Sequence, residues 1–350
     1  MDKVGIAIVG CGYWGVNYIR VFNELPQSHV VAICEKHPNR LKEVQSRFPG
    51  LEVTLSVRDL LQRDRFQAVV VCTQATAHYE VAQCCLAAVK HVLVEKPITT
   101  AVADAEKLMA LADSKHVTLM VGHTFIYNAG VQKVKACLER AEVGKIYYLY
   151  ARRTNLGPIR NDVNALWDLG SHDVAIFNYL LGNTPKWVSA VGGRVLGNHH
   201  ADVGFITLGY PNDIIGHIHV SWVDPNKVRE LVVVGSDKRI LFDDLSVLEQ
   251  VRIFERGVTP VPVEPSSYGE HQFFMRDGDI ISPKIKASEP LKNQCSHFIS
   301  CILQGESPIS GGQEGLDVVR VMEAVDRSIN CNGTPVGIIQ GGSQWIPAIE

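Results

Sequence analysis

The sequence has no long apolar run and no block of like charge. No stretch approaches the roughly 20 consecutive apolar residues that a membrane-spanning helix needs. The 34 Lys and Arg residues nearly balance the 37 Asp and Glu residues, so the net charge is only −3. Such a chain offers no basic surface to nucleic acid or to an anionic membrane. These absences predict a soluble protein that binds neither.

Cysteine pairs with metal-binding spacing are also absent. The nine cysteines include no Cys-x-x-Cys pair, and their number is odd. Several lie in apolar runs, as reduced core thiols do in cytoplasmic proteins. The chain begins Met1-Asp2-Lys3 and continues directly into a strand-like segment, which is not the pattern of a signal peptide. We therefore expect a cytoplasmic protein without structural zinc or disulfide bonds.

The first 122 residues alternate short apolar strands with helices, and the chain length allows two domains. The predicted strands cover residues 4–9, 30–34, 68–72, 92–94 and 117–121. The predicted helices cover residues 14–25, 38–48, 56–61, 79–88 and 100–114. This alternation is typical of a doubly wound parallel sheet.

A glycine-rich turn follows the first predicted strand. Residues 10–15 read Gly-Cys-Gly-Tyr-Trp-Gly, a G-x-G-x-x-G pattern. Gly10 permits a tight turn, Gly12 lets the backbone approach a pyrophosphate, and Gly15 lets the helix pack close to the strand. The helix that opens here would turn its free N–H groups toward the phosphates. The turn therefore predicts a dinucleotide site.

The second predicted strand ends in an acid, Glu35. A carboxylate there accepts hydrogen bonds from the adenosine ribose and repels a 2′-phosphate. With Tyr13 and Trp14 from the glycine turn, it predicts a Rossmann domain that binds NAD. Basic side chains shortly after Glu35 leave NADP possible, and the alternative for Glu35 is a solvated turn residue. Thr73 and His78 follow the next strand at the ligand-binding edge and are further candidates, although His78 could simply begin a helix.

Two further motifs identify a family resemblance. Glu95-Lys96-Pro97 follows the strand at 92–94, and residues 168–173 read Asp-Leu-Gly-Ser-His-Asp. With the glycine turn, in this order and at this spacing, they resemble the Gfo/Idh/MocA family of sugar and polyol oxidoreductases over the whole chain. The resemblance implies an NAD(P)-dependent dehydrogenase that transfers a hydride between nicotinamide and a secondary hydroxyl of a sugar.

The resemblance also implies a role for each motif residue. Glu95 would contact the nicotinamide-side ribose, Lys96 would reach the reacting hydroxyl, and Pro97 would shape the loop, often through a cis bond. Asp168 would bind a substrate hydroxyl, and His172 would be the general base for oxidation. The chemistry asks for the same residue types, because imidazole titrates near neutral pH and an ammonium stabilises a developing alkoxide. The alternatives are a surface lysine, an N-cap aspartate and a packed histidine.

Polar residues before the Asp168 segment are further substrate-binding candidates. His123 and Asn128 lie where the family often has polar residues before a helix, here predicted over residues 129–140, and a structural role is the alternative for His123. Arg153 and Arg160 border a polar loop and could bind a carboxylate or a diphosphate. This segment resembles nucleotide-sugar branches of the family; the alternative is a solvated arginine pair. An Asp-x3-His pair can also bind metal, but no third ligand is evident, so we expect no metal.

The second half changes to alternating strand patterns between residues 187 and 254. Five or six strands there predict a large, open, mostly antiparallel sheet. We expect an α/β protein with a Rossmann domain over residues 1–122 and an α+β substrate-binding domain over residues 123–350. The family often uses this sheet as its oligomer interface, so a homo-dimer or homo-tetramer is expected.

A nucleotide-sugar is the substrate that these patterns favour. Alternatives are an inositol or free-sugar dehydrogenase, and a glycoside-cleaving enzyme that keeps NAD tightly bound. A non-catalytic dinucleotide-binding regulator is a further alternative. The joint presence of Lys96, Asp168 and His172 argues against it, since binding alone does not need that set.

Overall fold

The computed structural model describes residues 3–63, 65–197, 199–260 and 273–338. They form two compact units. The first comprises Met1–Tyr127 and Ser288–Glu323, and the second comprises Asn128–Ala287 and Ala324–Glu350. The sequence-based division at residue 122 follows chain order, whereas the first unit also takes in a late segment of the chain.

The bounds of the elements follow in chain order. The helices are α1 (Tyr13–Glu24), α2 (Pro38–Arg47), α3 (Val57–Leu61), α4 (His78–Ala87), α5 (Val102–Lys115), α6 (Ala129–Glu139), α7 (Ser171–Leu181), α8 (Pro290–Gln304) and α9 (Gly312–Asn330). The strands are β1 (Val4–Val9), β2 (Ser28–Cys34), β3 (Glu52–Thr54), β4 (Ala68–Val71), β5 (His91–Glu95), β6 (Leu119–Gly122), β7 (Ile146–Leu156), β8 (Trp187–Gly193), β9 (Val203–Gly209), β10 (Ile215–Ser221), β11 (Val223–Gly235), β12 (Arg239–Asp243), β13 (Val251–Phe254), β14 (Gly257–Pro260), β15 (Phe273–Arg276), β16 (Ile280–Ile281) and β17 (Val336–Gly337). Within the described part of the chain, no helix is both long and apolar enough to cross a bilayer.

The sheet of the first unit is parallel throughout, in the order β3-β2-β1-β4-β5-β6. Every residue of β1 and β4 is buried, as expected when helices cover both faces of a parallel sheet. The strand order reverses between β1 and β4, which places a ligand crevice at their carboxyl ends. The predicted doubly wound sheet is confirmed. The edge strand β3 was not predicted, because three residues are too few to show a readable pattern.

Helix α8 packs in the first unit although it lies far away in sequence. The ring of Phe298 lies 6.4 Å from that of Phe22 on α1, in an edge-on contact. At the start of α8, Glu289 pairs with Arg20 at 2.5 Å, and Lys292 pairs with Glu24 at 3.1 Å. Apolar packing and charge pairing therefore both hold α8 against α1.

The second unit contains a nine-stranded sheet in the order β16-β13-β12-β11-β7-β10-β9-β8-β17. Its pairs are antiparallel except for β7 with β10. The predicted large, mostly antiparallel sheet is confirmed, with more strands than expected. The additional ones include two-residue strands at both edges, which have no sequence signal. Helix α7 packs on this sheet, since a Cβ on Gly216 of β10 would meet the ring of Phe177 at 2.9 Å.

Candidate active site

The glycine turn in the first unit has the geometry of a phosphate cradle. Gly10 adopts a left-handed φ of +89°, and a Cβ there would meet the carbonyl oxygen of Cys72 at 2.6 Å. A Cβ on Gly15 would collide with the carbonyl oxygen of Gly10. At Gly12, by contrast, no described atom beyond its neighbours in the chain lies within 4 Å of an added Cβ. The first and third glycines are therefore required by the protein's own packing, and the second leaves an open face that fits a pyrophosphate.

Helix α1 begins directly at this open face. Its N-cap is Gly12, which has no side chain to accept a bond from the first helical N–H groups. Tyr13 and Trp14 follow, with 77% and 41% of their surfaces exposed. The helix start therefore offers N–H groups and the positive end of the helix dipole to an anion.

Glu35 lies immediately after β2 and is fixed beside the glycine turn. Its Oε2 accepts a hydrogen bond from the N–H of Cys11 at 2.8 Å, and its Oε1 accepts one from the N–H of His37 at 2.9 Å. Arg40 donates from Nε to the carbonyl oxygen of Cys11 at 2.8 Å. Each carboxylate oxygen has a second lone pair, so Glu35 can still accept from ribose hydroxyls. The position fits its expected contact with the adenosine ribose of NAD.

His78 connects two loops at the carboxyl ends of the strands. Its Nδ1 lies 2.7 Å from the carbonyl oxygen of Pro97, and its Nε2 lies 3.1 Å from that of Thr73. The ring is 1% exposed. Each ring nitrogen of His78 therefore contacts a backbone carbonyl of one loop. The peptide bond between Lys96 and Pro97 is cis, as the family resemblance implied.

Glu95, Lys96 and His123 lie near one another where β5 and β6 end. Oε1 of Glu95 accepts a hydrogen bond from the hydroxyl of Tyr18 at 2.7 Å, and Oε2 accepts one from the N–H of Lys96 at 3.2 Å. Lys96 is 8% exposed and His123 is 2% exposed. Burial, with a smaller contribution from the charge of Lys96, lowers the pKa of His123 from 6.5 to about 3. His123 is therefore a neutral imidazole beside a lysine.

The depressed pKa of His123 predicts acid sensitivity. The unfolded chain binds a proton at this residue below pH 6.5, whereas the folded protein does so only near pH 3. Stability should therefore be lost as the pH falls from 6.5 toward 3. When the pH is lowered from 7 to 5, protonation of His123 in the unfolded chain should lower the free energy of unfolding of the cofactor-free protein by about 2 kcal/mol.

The variant His123→Leu should be less acid-sensitive than the wild type by that amount. Denaturant titrations at the two pH values measure it, and His29→Leu, which removes an exposed histidine from β2, is the control. Neither ring nitrogen of His123 has a hydrogen-bond partner among the described residues, so the leucine should cost little at pH 7. Equal acid sensitivity of wild type and His123→Leu would contradict the lowered pKa.

In the second unit, Asp168 lies inside a π-helical turn, Leu166–Gly170, that runs directly into α7. Its Oδ1 accepts from Nη1 of Arg160 at 3.0 Å, and its Oδ2 accepts from the indole N–H of Trp222 at 3.3 Å. His172 is half-buried in the first turn of α7, four positions later. Asp168 is therefore not an N-cap. π-helical turns occur frequently at functional sites.

Both arginines expected near the substrate already have carboxylate partners. Arg153 donates from Nε and Nη2 to the two carboxylate oxygens of Asp173, at 3.0 and 2.7 Å. The two side chains are 6% and 2% exposed. Arg160 donates to both oxygens of Asp162, at 2.8 and 2.6 Å, in addition to Asp168. Arg153 thus joins β7 to the first turn of α7, one residue from His172.

Asn128 has a similar internal role. Its Oδ1 accepts from the N–H of Gly130 at 2.8 Å and so caps α6, while its Nδ2 donates to Asp244 at 2.9 Å. Arg229 donates to the other oxygen of Asp244 at 3.4 Å. In the described part of the chain, no group of three or more His, Cys, Asp and Glu side chains could hold a metal ion.

Several residues that shape these sites were not singled out from the sequence. Asp173 ends the motif that contains His172, and its position directly after that residue in the sequence could have marked it as a site residue. Tyr18 lies three positions after Gly15, on the buried face of α1, and that periodicity indicated burial but no role. Trp222 and Gln294 had no sequence signal, because only folding brings them to Asp168 and Tyr18.

Comparison with known proteins agrees with this arrangement. Residues 4–123 match the model of the oxidoreductase family with an NAD-binding Rossmann fold, and residues 131–241 match the GFO/IDH/MocA C-terminal domain. The chain is 31% identical to dTDP-3,4-didehydro-2,6-dideoxy-alpha-D-glucose 3-reductase of Actinomadura kijaniata, over 93% of this chain and 95% of that one.

Two further relatives extend the comparison. UDP-N-acetylglucosamine 3-dehydrogenase of Acidithiobacillus ferrooxidans is 26% identical over 76% of this chain and 81% of its own. Its solved structure has the same fold, with a TM-score of 0.80 at 23% identity, covering 95% of this chain and 100% of that one. Myo-inositol 2-dehydrogenase of Thermotoga maritima is 22% identical over 93% of this chain and 97% of its own. The glycine cradle, the positions of the motif residues and the matches to both domain models lead to one conclusion: the chain is an NAD-dependent oxidoreductase that belongs to the Gfo/Idh/MocA family.

Proposed function

We propose that this enzyme interconverts a secondary hydroxyl and a ketone on a hexose ring that is carried by a nucleoside diphosphate. The observation that carries the proposal is the 31% identity, over nearly the whole chain, to a reductase of a dTDP-linked hexose. A second relative is named for a UDP-linked hexose, and both names place the reaction at carbon 3. Carbon 3 is therefore the position to assay first.

The chain's own residues supply the proton chemistry in this proposal. Bound NAD carries the hydride. Lys96 donates a hydrogen bond to the reacting oxygen and stabilises its developing negative charge, and its burial strengthens that interaction. His172 takes the proton from the hydroxyl during oxidation and returns it during reduction. Asp168, oriented by Arg160 and Trp222, accepts a hydrogen bond from a sugar hydroxyl.

Other residues would bind and orient the ligands. Glu95 accepts from the ribose next to nicotinamide, and Glu35 accepts from the adenosine ribose, which favours NAD over NADP. His123 packs beside Lys96 as a neutral imidazole whose ring nitrogens are both buried, so in this proposal it supports the site around Lys96.

The charge around Asp168 favours a second candidate, an uncharged inositol or free sugar. Three guanidinium groups in this part of the second unit pair with four carboxylates. The groups are Arg153, Arg160 and Arg229, with Asp162, Asp168, Asp173 and Asp244. A dianionic diphosphate gains nothing from arginines that are already neutralised. If the substrate is nucleotide-linked, its diphosphate must bind elsewhere.

A substrate panel tests the proposal. NAD reduction is followed with UDP-, GDP- and dTDP-hexoses, with myo-inositol and with free hexoses, and kcat/KM is compared. Nucleotide-linked sugars should exceed the free compounds by about 100-fold or more, since the nucleotide adds binding contacts. Equal or greater kcat/KM for inositol or a free hexose would exclude the nucleotide-sugar and favour the second candidate.

We also propose that the enzyme is a homo-dimer or homo-tetramer assembled through the open face of the nine-stranded sheet. Exposed apolar side chains from the neighbouring strands β7, β9 and β10 lie on this face of the sheet. The ring of Phe205 stacks on that of His219, with 4.5 Å between their centres. The exposed fractions are 44% for Tyr148, 42% for Phe205 and 38% for Ile215. Water contact with such a surface is unfavourable. Light scattering should give a multiple of 38.6 kDa, and Phe205→Glu should shift it toward the monomer.

A further inference from the structure

A chain of hydrogen bonds runs from Thr124 through Gln294 on α8 to Glu95 within the first unit, and its last two bonds are buried. Thr124 donates from Oγ1 to Oε1 of Gln294 at 2.8 Å. Gln294 donates from Nε2 to the hydroxyl of Tyr18 at 2.8 Å, and that hydroxyl donates to Oε1 of Glu95 at 2.7 Å. Tyr18 and Gln294 are fully buried. The chain joins residues that lie 170 and 276 positions apart in sequence, so no local element requires it.

In every hydrogen bond of this chain, the proton points toward Glu95: Thr124 donates to Gln294, Gln294 to Tyr18, and Tyr18 to Glu95. The hydroxyl of Tyr18 accepts from Gln294, so its single proton is directed to the carboxylate. Burial, together with the negative charge of Glu95, raises the pKa of Tyr18 well above its ordinary value, and the hydroxyl stays protonated. Hydrogen bonds in such a chain polarise one another.

The carboxylate of Glu95 is consequently held at both oxygens. Tyr18 fixes Oε1, and the N–H of Lys96 contacts Oε2. The backbone of β6 adds a wall, since a Cβ on Gly122 would lie 3.2 Å from the carboxyl carbon of Glu95. Glu95 is therefore held in one rotamer before any ligand binds, so less side-chain conformational entropy is lost when a ligand binds.

We propose that Tyr18 and Gln294 are positioning residues, which hold Glu95 in the orientation that binds the nicotinamide-side ribose. The inference rests on the ribose contact proposed for Glu95 above. It assigns α8 a direct effect on cofactor affinity, although α8 lies almost 200 positions after Glu95. The alternative is that Tyr18 and Gln294 satisfy one another's polar groups and contribute only to folding.

The test measures the Kd for NADH by fluorescence titration and needs no sugar, so it is independent of the substrate proposal. Tyr18→Phe keeps the aromatic ring that stacks on Phe22 and removes only the hydroxyl. It should raise the Kd for NADH about tenfold, as expected when a hydrogen bond to a charged group is lost. Gln294→Met, which leaves Tyr18 in place, should raise it about threefold.

Tyr127→Phe is the matched control. It removes another buried tyrosine hydroxyl of the first unit, whose partner is Ser310 at 3.0 Å rather than Glu95. It should change the Kd for NADH less than about twofold. Thermal unfolding of each variant verifies folding, and Gln294→Met carries the test if Tyr18→Phe does not fold.

A double-mutant cycle separates positioning from a structural role. Glu95→Gln alone should weaken NADH binding, and Tyr18→Phe should add little in that background, because the same carboxylate has already been lost. Effects that multiply in the double variant would show that Tyr18 acts independently of Glu95 and would overturn the inference. An unchanged Kd in Glu95→Gln would instead refute the ribose contact on which it rests.

Discussion

Replacing Lys96 with methionine should lower kcat about a thousandfold while leaving the Kd for NADH within about threefold. The ammonium is expected to act on the reacting oxygen, where charge develops only as the hydride moves, so its loss affects turnover more than binding. Methionine keeps the length of the side chain and suits a site that is 8% exposed. Steady-state kinetics in both directions and NADH titration measure the two quantities.

A second lysine of the same unit is the control. Lys90 donates to the carbonyl oxygen of Phe66 at 2.9 Å and lies over its ring. Lys90→Met should keep kcat within about twofold, since it removes a lysine contact that the reaction does not use. A Lys96→Met enzyme with wild-type kcat would remove Lys96 from the mechanism.

Arg153→Met should lower the free energy of unfolding by about 3–5 kcal/mol. Burial alone would lower the pKa of Arg153, but the carboxylate of Asp173 more than offsets this, and the pKa is raised. Removing the guanidinium would leave that carboxylate buried and unpaired. Denaturant unfolding measures the loss, and kcat should fall as well, because Asp173 fixes the turn that carries His172.

The neighbouring arginine on β7 provides the comparison. Arg152 pairs with Glu230 at 3.2 Å, but its side chain is 45% exposed. Arg152→Met should therefore cost only about 0–1 kcal/mol. If the two variants lose equal stability, the burial of the Arg153–Asp173 pair is not what matters. In the double variant Arg153→Met/Asp173→Leu, the loss should be smaller than in Arg153→Met, because no charge remains unpaired.

The cofactor half was largely readable from the sequence. Buried strands such as β1 and β4 have short apolar runs, and the turn after β1 needs glycine at defined positions. Gly10 and Gly15 show why, since a Cβ at either would strike backbone. The cap at Ser56 and the proline that opens α2 were also predictable, because both act within one helical turn.

The partners of the charged site residues were not readable. Arg153 and Arg160 are polar residues in a polar segment, which fits substrate binding and solvation equally well. The structure shows a third arrangement, in which the charge of each arginine is neutralised within the protein by Asp173 or Asp162. Asn128 likewise has both ends of its amide bonded within the second unit.

The sequence by itself determined the parallel sheet, the glycine cradle, the acid after β2 and the family motifs, because each depends on neighbours within a few residues or on strand periodicity. Only the tertiary structure decided that α8 joins the first unit, that Tyr18 and Gln294 hold Glu95, and that the arginines before Asp168 are already paired. The contacts of Tyr18 with Glu95 and Gln294 join residues far apart along the chain, and the arginine pairs join residues 2 to 20 positions apart whose side chains meet only in the folded loop. Their energies come from burial and from hydrogen-bond geometry, which exist only once the chain has folded.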